Sequence, residues 1–463
     1  MNPMIIVLLL YFAILCVIAV HSAMNVKSVP DFFVARKGAS VKAVAGSLVA
    51  SILGGSAIIG AIDESNRLGA GAAWFMLVGT LGLVALIPFA SKAYSLGKYS
   101  LPDLIGNMYG NTPRIVSSIV IPVAWTGIIA AQIIAAAKIL QSFTPLSYET
   151  CAIIFASVFT LYTIAGGQLS ILRTDFLQAA LIVVGLAIIA IFTGFSLEGS
   201  NYTLSNAKAF PFNSNFSPLD LFILLLTYGT TFTAGPDMFS RLFCAKDATT
   251  AKKSLFVSAI VLVPVAGIIG FLSAFGTNIE TTDGAKIISI ANTVLPQAML
   301  PFIAIVLLSV VLSSADTLLL SSSVILCGLF LPGENMKKEK TKIKEQRKSL
   351  HIARLVILAN GLVALLIALH FTNIIGILLM ALAIYAGAFT IPILWGLAGF
   401  RTKTAYVSIA IISGGLIALT GKLIPVLANS WGIAHTARLE SILLITSFII
   451  NAVLLLIGKI HKK

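Results

Sequence analysis

Gly46-Ser47-Leu48-Val49-Ala50-Ser51-Ile52-Leu53-Gly54-Gly55-Ser56-Ala57-Ile58-Ile59-Gly60 is apolar enough to enter a membrane, yet paired glycines interrupt it near its middle. Glycine weakens a helix because its backbone has more freedom to lose on folding. In hydrocarbon each carbonyl released from the helical ladder also needs a polar partner. Two readings fit this spacing. The small residues let a neighbouring helix approach closely, or the helix unwinds and its freed carbonyls hold a cation beside a cavity.

The rest of the chain places this stretch in a bilayer. Of 463 residues, 58% are hydrophobic and only 10% are charged, against about 25% charged in a soluble domain. So little charge cannot cover a surface facing water, but it suits one facing lipid. A window of about 19 residues predicts thirteen helices, at 4–21, 43–62, 72–94, 114–140, 148–165, 175–196, 218–241, 254–276, 297–330, 350–370, 374–399, 404–425 and 439–458. The first run, Met1–Val20, lacks a basic n-region and a small-x-small cleavage site, so it reads as a retained helix rather than a signal peptide.

The net charge of +14 would suggest nucleic acid in a soluble protein. Here the positive-inside rule accounts for it. With thirteen spans, 25 of the 31 Lys and Arg residues fall on one side. That side is expected in the cytoplasm, which puts the N-terminus outside and the C-terminus inside the plasma membrane. The basic run Lys337–Lys348 reads as a solvated cytoplasmic loop, with a lipid-headgroup contact as the sharper alternative. Cys16, Cys151, Cys244 and Cys327 have no CxxC spacing and the five histidines no HExxH, so a metal centre or disulfide is not expected. Nor does any nucleophile–base pair or cofactor loop suggest an enzyme or an organic cofactor.

Two other stretches depart from a plain lipid-facing helix. The ninth predicted helix carries Ser309-Val310-Val311-Leu312-Ser313-Ser314-Ala315-Asp316-Thr317, then Ser321, Ser322 and Ser323. A lone serine can bond back to its own helix, but hydroxyls clustered with a carboxylate in an apolar span point to a cavity or an ion. Between the fifth and sixth helices lies Tyr162-Thr163-Ile164-Ala165-Gly166-Gly167-Gln168-Leu169-Ser170-Ile171-Leu172-Arg173-Thr174-Asp175-Phe176-Leu177-Gln178. Thr174 and Asp175 suit an N-cap of the sixth helix, which competes with a functional role for Asp175.

These stretches together resemble the sodium:solute symporter family, which includes proline, pantothenate, sialic-acid and sugar carriers. The Tyr-Thr-x-x-Gly-Gly…Thr-Asp-x-x-Gln run is the most specific likeness. Ser-Ser-Ala-Asp-Thr (313–317), Ser56-Ala57-Ile58-Ile59-Gly60…Gly69 and Gly235-Pro236-Asp237-Met238-Phe239-Ser240-Arg241 add to it. The resemblance implies an all-α, LeuT-like fold with an inverted repeat of five plus five helices and broken first and sixth core helices. It divides the chain into an N-terminal helix and loop (1–42), the first repeat (43–196), the second repeat (197–400) and two C-terminal helices (401–463).

The resemblance also implies a function, Na+-coupled symport of a small organic solute. It places a sodium site at the carbonyls of Ala50, Leu53 and Val310 and the hydroxyls of Ser313 and Ser314. Asp175 falls on the ion-exit route, and Asp175, Asp316 and Thr317 match a second cation site of some members. Two carboxylates there repel one another unless a cation lies between them. The solute cavity maps onto Ser56, Ala57, Phe75, Met76, Gln132, Tyr228, Thr231 and Phe232. Proline carriers have an aspartate where this chain has Ile52, and sugar carriers have polar residues where it has Ala57 and Met76. With few charges in the cavity, the expected solute is an amino acid, a monocarboxylate or similar. Proton coupling on the same fold and a transporter-like membrane sensor are the alternatives.

Overall fold

A computed structural model describes residues 3–198, 210–280, 285–330, 342–371, 374–430 and 437–460. Lys208, His435, His461, Lys462, Lys463 and residues 337–341 of the basic run lie outside them. Among the described residues, helices dominate and the only β-pairing is isolated bridges. Ten helices among the described residues are long and apolar enough to span a membrane, or eleven with the bent pair at 41–63 taken as one span. Their outward faces carry large apolar side chains, among them Val123, Leu161 and Phe195, as a lipid-facing surface requires.

The glycine-interrupted stretch is broken. Ser40 caps an α-helix at Val41–Ile52, its hydroxyl accepting from the Ala43 N–H. The helix stops at Leu53, and after Gly54 and Gly55 the chain resumes as a π turn, Ser56–Gly60, and a last turn, Ala61–Asp63. The two halves bend by 48°. A second broken segment runs through 218–244. It holds Pro218–Leu224, a π turn at Leu225–Gly229 and Thr230–Ala234, then restarts after extended Gly235 as Pro236–Cys244. Proline at the first position of that last helix is favourable, because its missing N–H would have no intrahelical partner.

The fifth and sixth predicted helices form one run, Tyr148–Glu198, turned sharply at Gly167 (φ 54°, ψ −148°). Only glycine adopts this backbone readily, and a Cβ there would lie 2.7 Å from the Phe32 carbonyl oxygen. The break therefore precedes Thr174 and Asp175, which sit inside the following helix. The N-cap expected of them is not formed. Thr174 instead donates back to the carbonyls of Ser170 and Ile171.

The serine-rich helix, Leu300–Phe330, packs against Asn111–Phe143, Tyr148–Glu198 and Val41–Ile52. Its 31 residues span about 46 Å at 1.5 Å each, longer than the ~30 Å hydrocarbon core. The N-terminal helix, Pro3–Ala23, is tied in by Tyr11, whose hydroxyl lies 2.8 Å from Ser309 Oγ and accepts from Gln178 Nε2 at 3.3 Å. Part of the serine cluster is structural. Asn360 donates to Ser322 at 2.7 Å and accepts from Thr126 at 2.8 Å. Thr404–Ser430 and Ala437–Ile460 pack on each other and on Ile374–Leu397, at the margin of the bundle.

Candidate cation and solute site

The break after Ile52 frees carbonyls, and the serine-rich helix meets them. Past the break the Ala57 and Ile58 N–H groups both donate to the Gly54 carbonyl. Ser313 Oγ donates to the Ala50 carbonyl at 2.9 Å and lies 3.3 Å from its own helix's Val310 carbonyl. Ser314 Oγ donates to the Ser51 carbonyl at 3.2 Å. Ser313 thus joins Ala50 and Val310, three of the five expected sodium-site residues, while Ser314 bonds Ser51 and Leu53 caps the end of the helix. The set contains only hard oxygen donors, which suit a small hard cation. Gly54 permits the approach, since a Cβ at that position would lie 2.4 Å from Ser314 Oγ.

Next to this junction lies a buried ionic cluster. Asp175 and Asp316 are fully buried. Arg241, from the second broken segment, is buried with them, and its Nη2 donates to Asp175 Oδ2 at 3.3 Å and to Thr317 Oγ1. Its Nε donates to Ser47 at 3.1 Å, and Nη1 to Ser240 Oγ at 3.2 Å and to the Asp237 carbonyl at 3.4 Å. Ser47 also bonds Asp175, and Thr317 Oγ1 lies 2.8 Å from the Ser313 carbonyl and 3.2 Å from Asp316 Oδ1. The protein's own guanidinium therefore joins Asp175 and Thr317, and Asp316 is bonded to Thr317. A buried charge without a partner costs several kcal/mol, and Arg241 lowers that cost for Asp175. Nothing in the sequence pattern announced that Arg241 would be buried against Asp175 and Thr317.

A cavity of about 50 Å³ opens beside both clusters. Of the residues assigned to the solute cavity, Gln132, Tyr228, Thr231 and Phe232 line it. Tyr228 and Phe232 form an edge-on aromatic pair 4.9 Å apart, and Phe75 stands behind Tyr228 at 5.8 Å. Ala57 and Met76 are fully buried away from the lining, and nothing is described of the Ser56 side chain. Trp125, Asp237, Ser314 and Thr317 also form the wall, with Ile52. Of these, Asp237 and Trp125 carry chemistry that the sequence reading left unassigned. The only signal for Asp237 was its place after Gly235-Pro236, where a helix restarts.

Two broken helical segments meeting at a polar cavity, in a bundle of membrane-crossing helices, define a secondary transporter of LeuT-like fold. The sodium:solute symporter family model matches residues 32–409. This chain belongs to that family, whose members are transporters rather than enzymes. It is 24% identical over 446 residues to the sodium/proline symporter of Escherichia coli (strain K12), covering 91% of this chain and 88% of that one. Among solved structures it resembles a substrate-bound, outward-open Na+-coupled sialic acid symporter (TM-score 0.76, 16% identity, 99% and 97% of the two chains). It also resembles a nucleobase-cation-symport-1 family transporter in a closed conformation (TM-score 0.59, 13% identity, 92% and 93%). At these identities the structural likeness speaks for the fold alone.

Proposed function

We propose that this protein couples inward Na+ movement to uptake of a small organic solute across the plasma membrane. The observation that carries the reading is the 2.9 Å contact from Ser313 Oγ to the Ala50 carbonyl, which joins a broken helix to the serine-rich helix. Na+ bound by the carbonyls of Ala50, Leu53 and Val310 and the hydroxyls of Ser313 and Ser314 would tie the two elements together. Their hydroxyl protons would turn away so that lone pairs face the ion. A site of neutral oxygens holds Na+ weakly enough to release it. The ion then leaves past Asp175, where Arg241, Asp316 and Thr317 form a polar route or a second cation site.

In this reading the bundle crosses the membrane thirteen times, counting Tyr148–Glu198 as two spans and each broken segment as one. The N-terminus lies outside and the C-terminus inside, and 43–196 and 197–400 form the inverted repeat. Gln132, Tyr228, Thr231 and Phe232 contact the solute. Ser56, Ala57, Phe75 and Met76 join them in another state of the transport cycle. Proton coupling is the second reading, favoured by the buried pair Asp175 and Asp316.

The test is uptake of a labelled solute panel into vesicles containing the purified protein. An inward Na+ gradient should drive accumulation above equilibrium, and K+ in place of Na+ should abolish it. Accumulation driven by a pH gradient in Na+-free buffer would instead support the proton reading.

A further inference from the structure

The cavity wall holds more hydrogen-bonding capacity than the protein uses. Among the described residues, Asp237 Oδ1 and Gln132 Oε1 are buried acceptors without a donor, and Trp125 Nε1 is a buried donor without an acceptor. All three side chains line the same space and each is more than nine-tenths buried. Buried polar groups in native proteins are nearly always paired, so three in one small cavity point to a ligand that completes them.

Charge narrows the chemistry. Arg241 is one turn from Asp237 on the same helix, but its guanidinium is committed elsewhere. Its Nε, Nη1 and Nη2 donate to Ser47, Ser240, the Asp237 main-chain carbonyl, Asp175 and Thr317. A guanidinium has five N–H donors, and these five contacts use them, so none is left for the Asp237 carboxylate. At the start of the helix the N–H groups of Asp237 and Met238 also serve this carboxylate, as the helix dipole favours, but Oδ1 itself keeps no donor. An anionic solute would meet this carboxylate at close range in a low-dielectric cavity and be repelled. A cation carrying N–H donors would satisfy Asp237 and Gln132 together. The aromatic faces of Tyr228 and Phe232 would favour it further.

Resting on the symport reading, we propose that Asp237 selects solutes bearing a protonated amine. The ammonium bridges Asp237 and Gln132, and an acceptor group on the same compact solute takes the Trp125 N–H. Among the solutes expected from sequence, this favours an amino acid over a monocarboxylate.

The experiment is thermal unfolding of the detergent-purified full chain. L-alanine, L-proline and ethanolamine serve as ammonium probes, with lactate and lactamide as controls that lack the amine. Each is titrated in Na+ and in K+ at equal ionic strength, into the wild type and into Asp237→Asn and Asp237→Glu. At least one ammonium probe should raise the Tm saturably, and lactate and lactamide should not. Asp237→Asn should weaken the apparent Kd for that probe at least tenfold, with Asp237→Glu recovering part of the loss. The Na+ shift without solute should be unchanged in Asp237→Asn, which also reports that the variant folds. The proposal is overturned if no ammonium probe stabilises the wild type, if lactate or lactamide stabilises as well, or if Asp237→Asn binds the ammonium unchanged. Absence of any Na+ shift in the wild type would count against sodium coupling instead, and Asp237-dependent ammonium binding in K+ would still stand.

Discussion

A single methyl group at Gly54 should damage Na+ binding as well as the fold. The Cβ of Gly54→Ala would lie 2.4 Å from Ser314 Oγ, 3.3 Å from Ser314 Cβ and 3.4 Å from the Ser51 carbonyl. Ordinary contact begins near 3.4 Å, so Ser314 must yield by about 1 Å. Its side chain can rotate, giving up the 3.2 Å bond to Ser51, or the serine-rich helix can move off the broken segment. A lost neutral hydrogen bond costs about 1 kcal/mol of stability, and overpacking costs about 1–3 kcal/mol. The same displacement removes a hydroxyl from the cation. A bond to a charged group contributes about 1.5–3 kcal/mol, which is roughly a 10- to 150-fold loss of Na+ affinity.

The assay is the Na+ concentration dependence of the Tm, compared across wild type, Gly54→Ala and Ser314→Ala. Ligand that binds only the folded state raises stability by mass action, so the midpoint reports affinity separately from the baseline Tm. Gly54→Ala should shift the midpoint as far as Ser314→Ala does. A lowered baseline Tm with an unmoved midpoint would refute the argument.

Arg241→Met should destabilise the protein by about 3–5 kcal/mol, because it leaves Asp175 buried without its cation. Adding Asp175→Asn should recover a large part of that loss. Additive losses in denaturant unfolding of the two single variants and the double would show that the pair is not coupled. Asp31, outside the spans, behaves differently. Burial alone would raise its carboxyl, but Arg36 and the N–H groups of Lys27 and Ser28 outweigh burial and hold it below the ordinary range. A carboxyl depressed in the folded state stabilises above its unfolded pKa of about 4 and loses that contribution as pH falls through the folded value. Asp31→Asn should therefore lower the Tm at pH 7, by a deficit that shrinks as pH falls below about 4. A Tm deficit that is constant across this range would contradict the assignment.

What the sequence disclosed followed from local cost. Gly54-Gly55 in an apolar stretch is expensive in itself, so the break was visible before any neighbour was known. The hydroxyls of Ser313 and Ser314 with Asp316 stood out for the same reason. Ser322 belonged to that cluster in sequence but is satisfied by Asn360, a partner 38 positions away that no local pattern announces. The buried contacts of Arg241 were not anticipated, because counting charges by loop assumes that a basic residue near a helix end faces water. Here the second broken segment carries it inward, to Ser47, Asp175 and Thr317. Asp175 was read partly as a cap because a break was expected just before it. The turn comes instead at Gly167, where the Phe32 backbone leaves no room for a Cβ. Asp237 and Trp125 become significant only once the fold places them across one cavity from Gln132.

Equilibrium binding of radioactive 22Na+ to the purified protein tests the central claim most directly, since it needs no knowledge of the solute. The account predicts saturable binding that excess unlabelled Na+ competes away and K+ does not. Ser313→Ala combined with Ser314→Ala should abolish it while leaving the protein folded. Binding that is absent in the wild type, or that survives the double substitution with unchanged affinity, would contradict the sodium site at the junction of Ala50, Val310, Ser313 and Ser314.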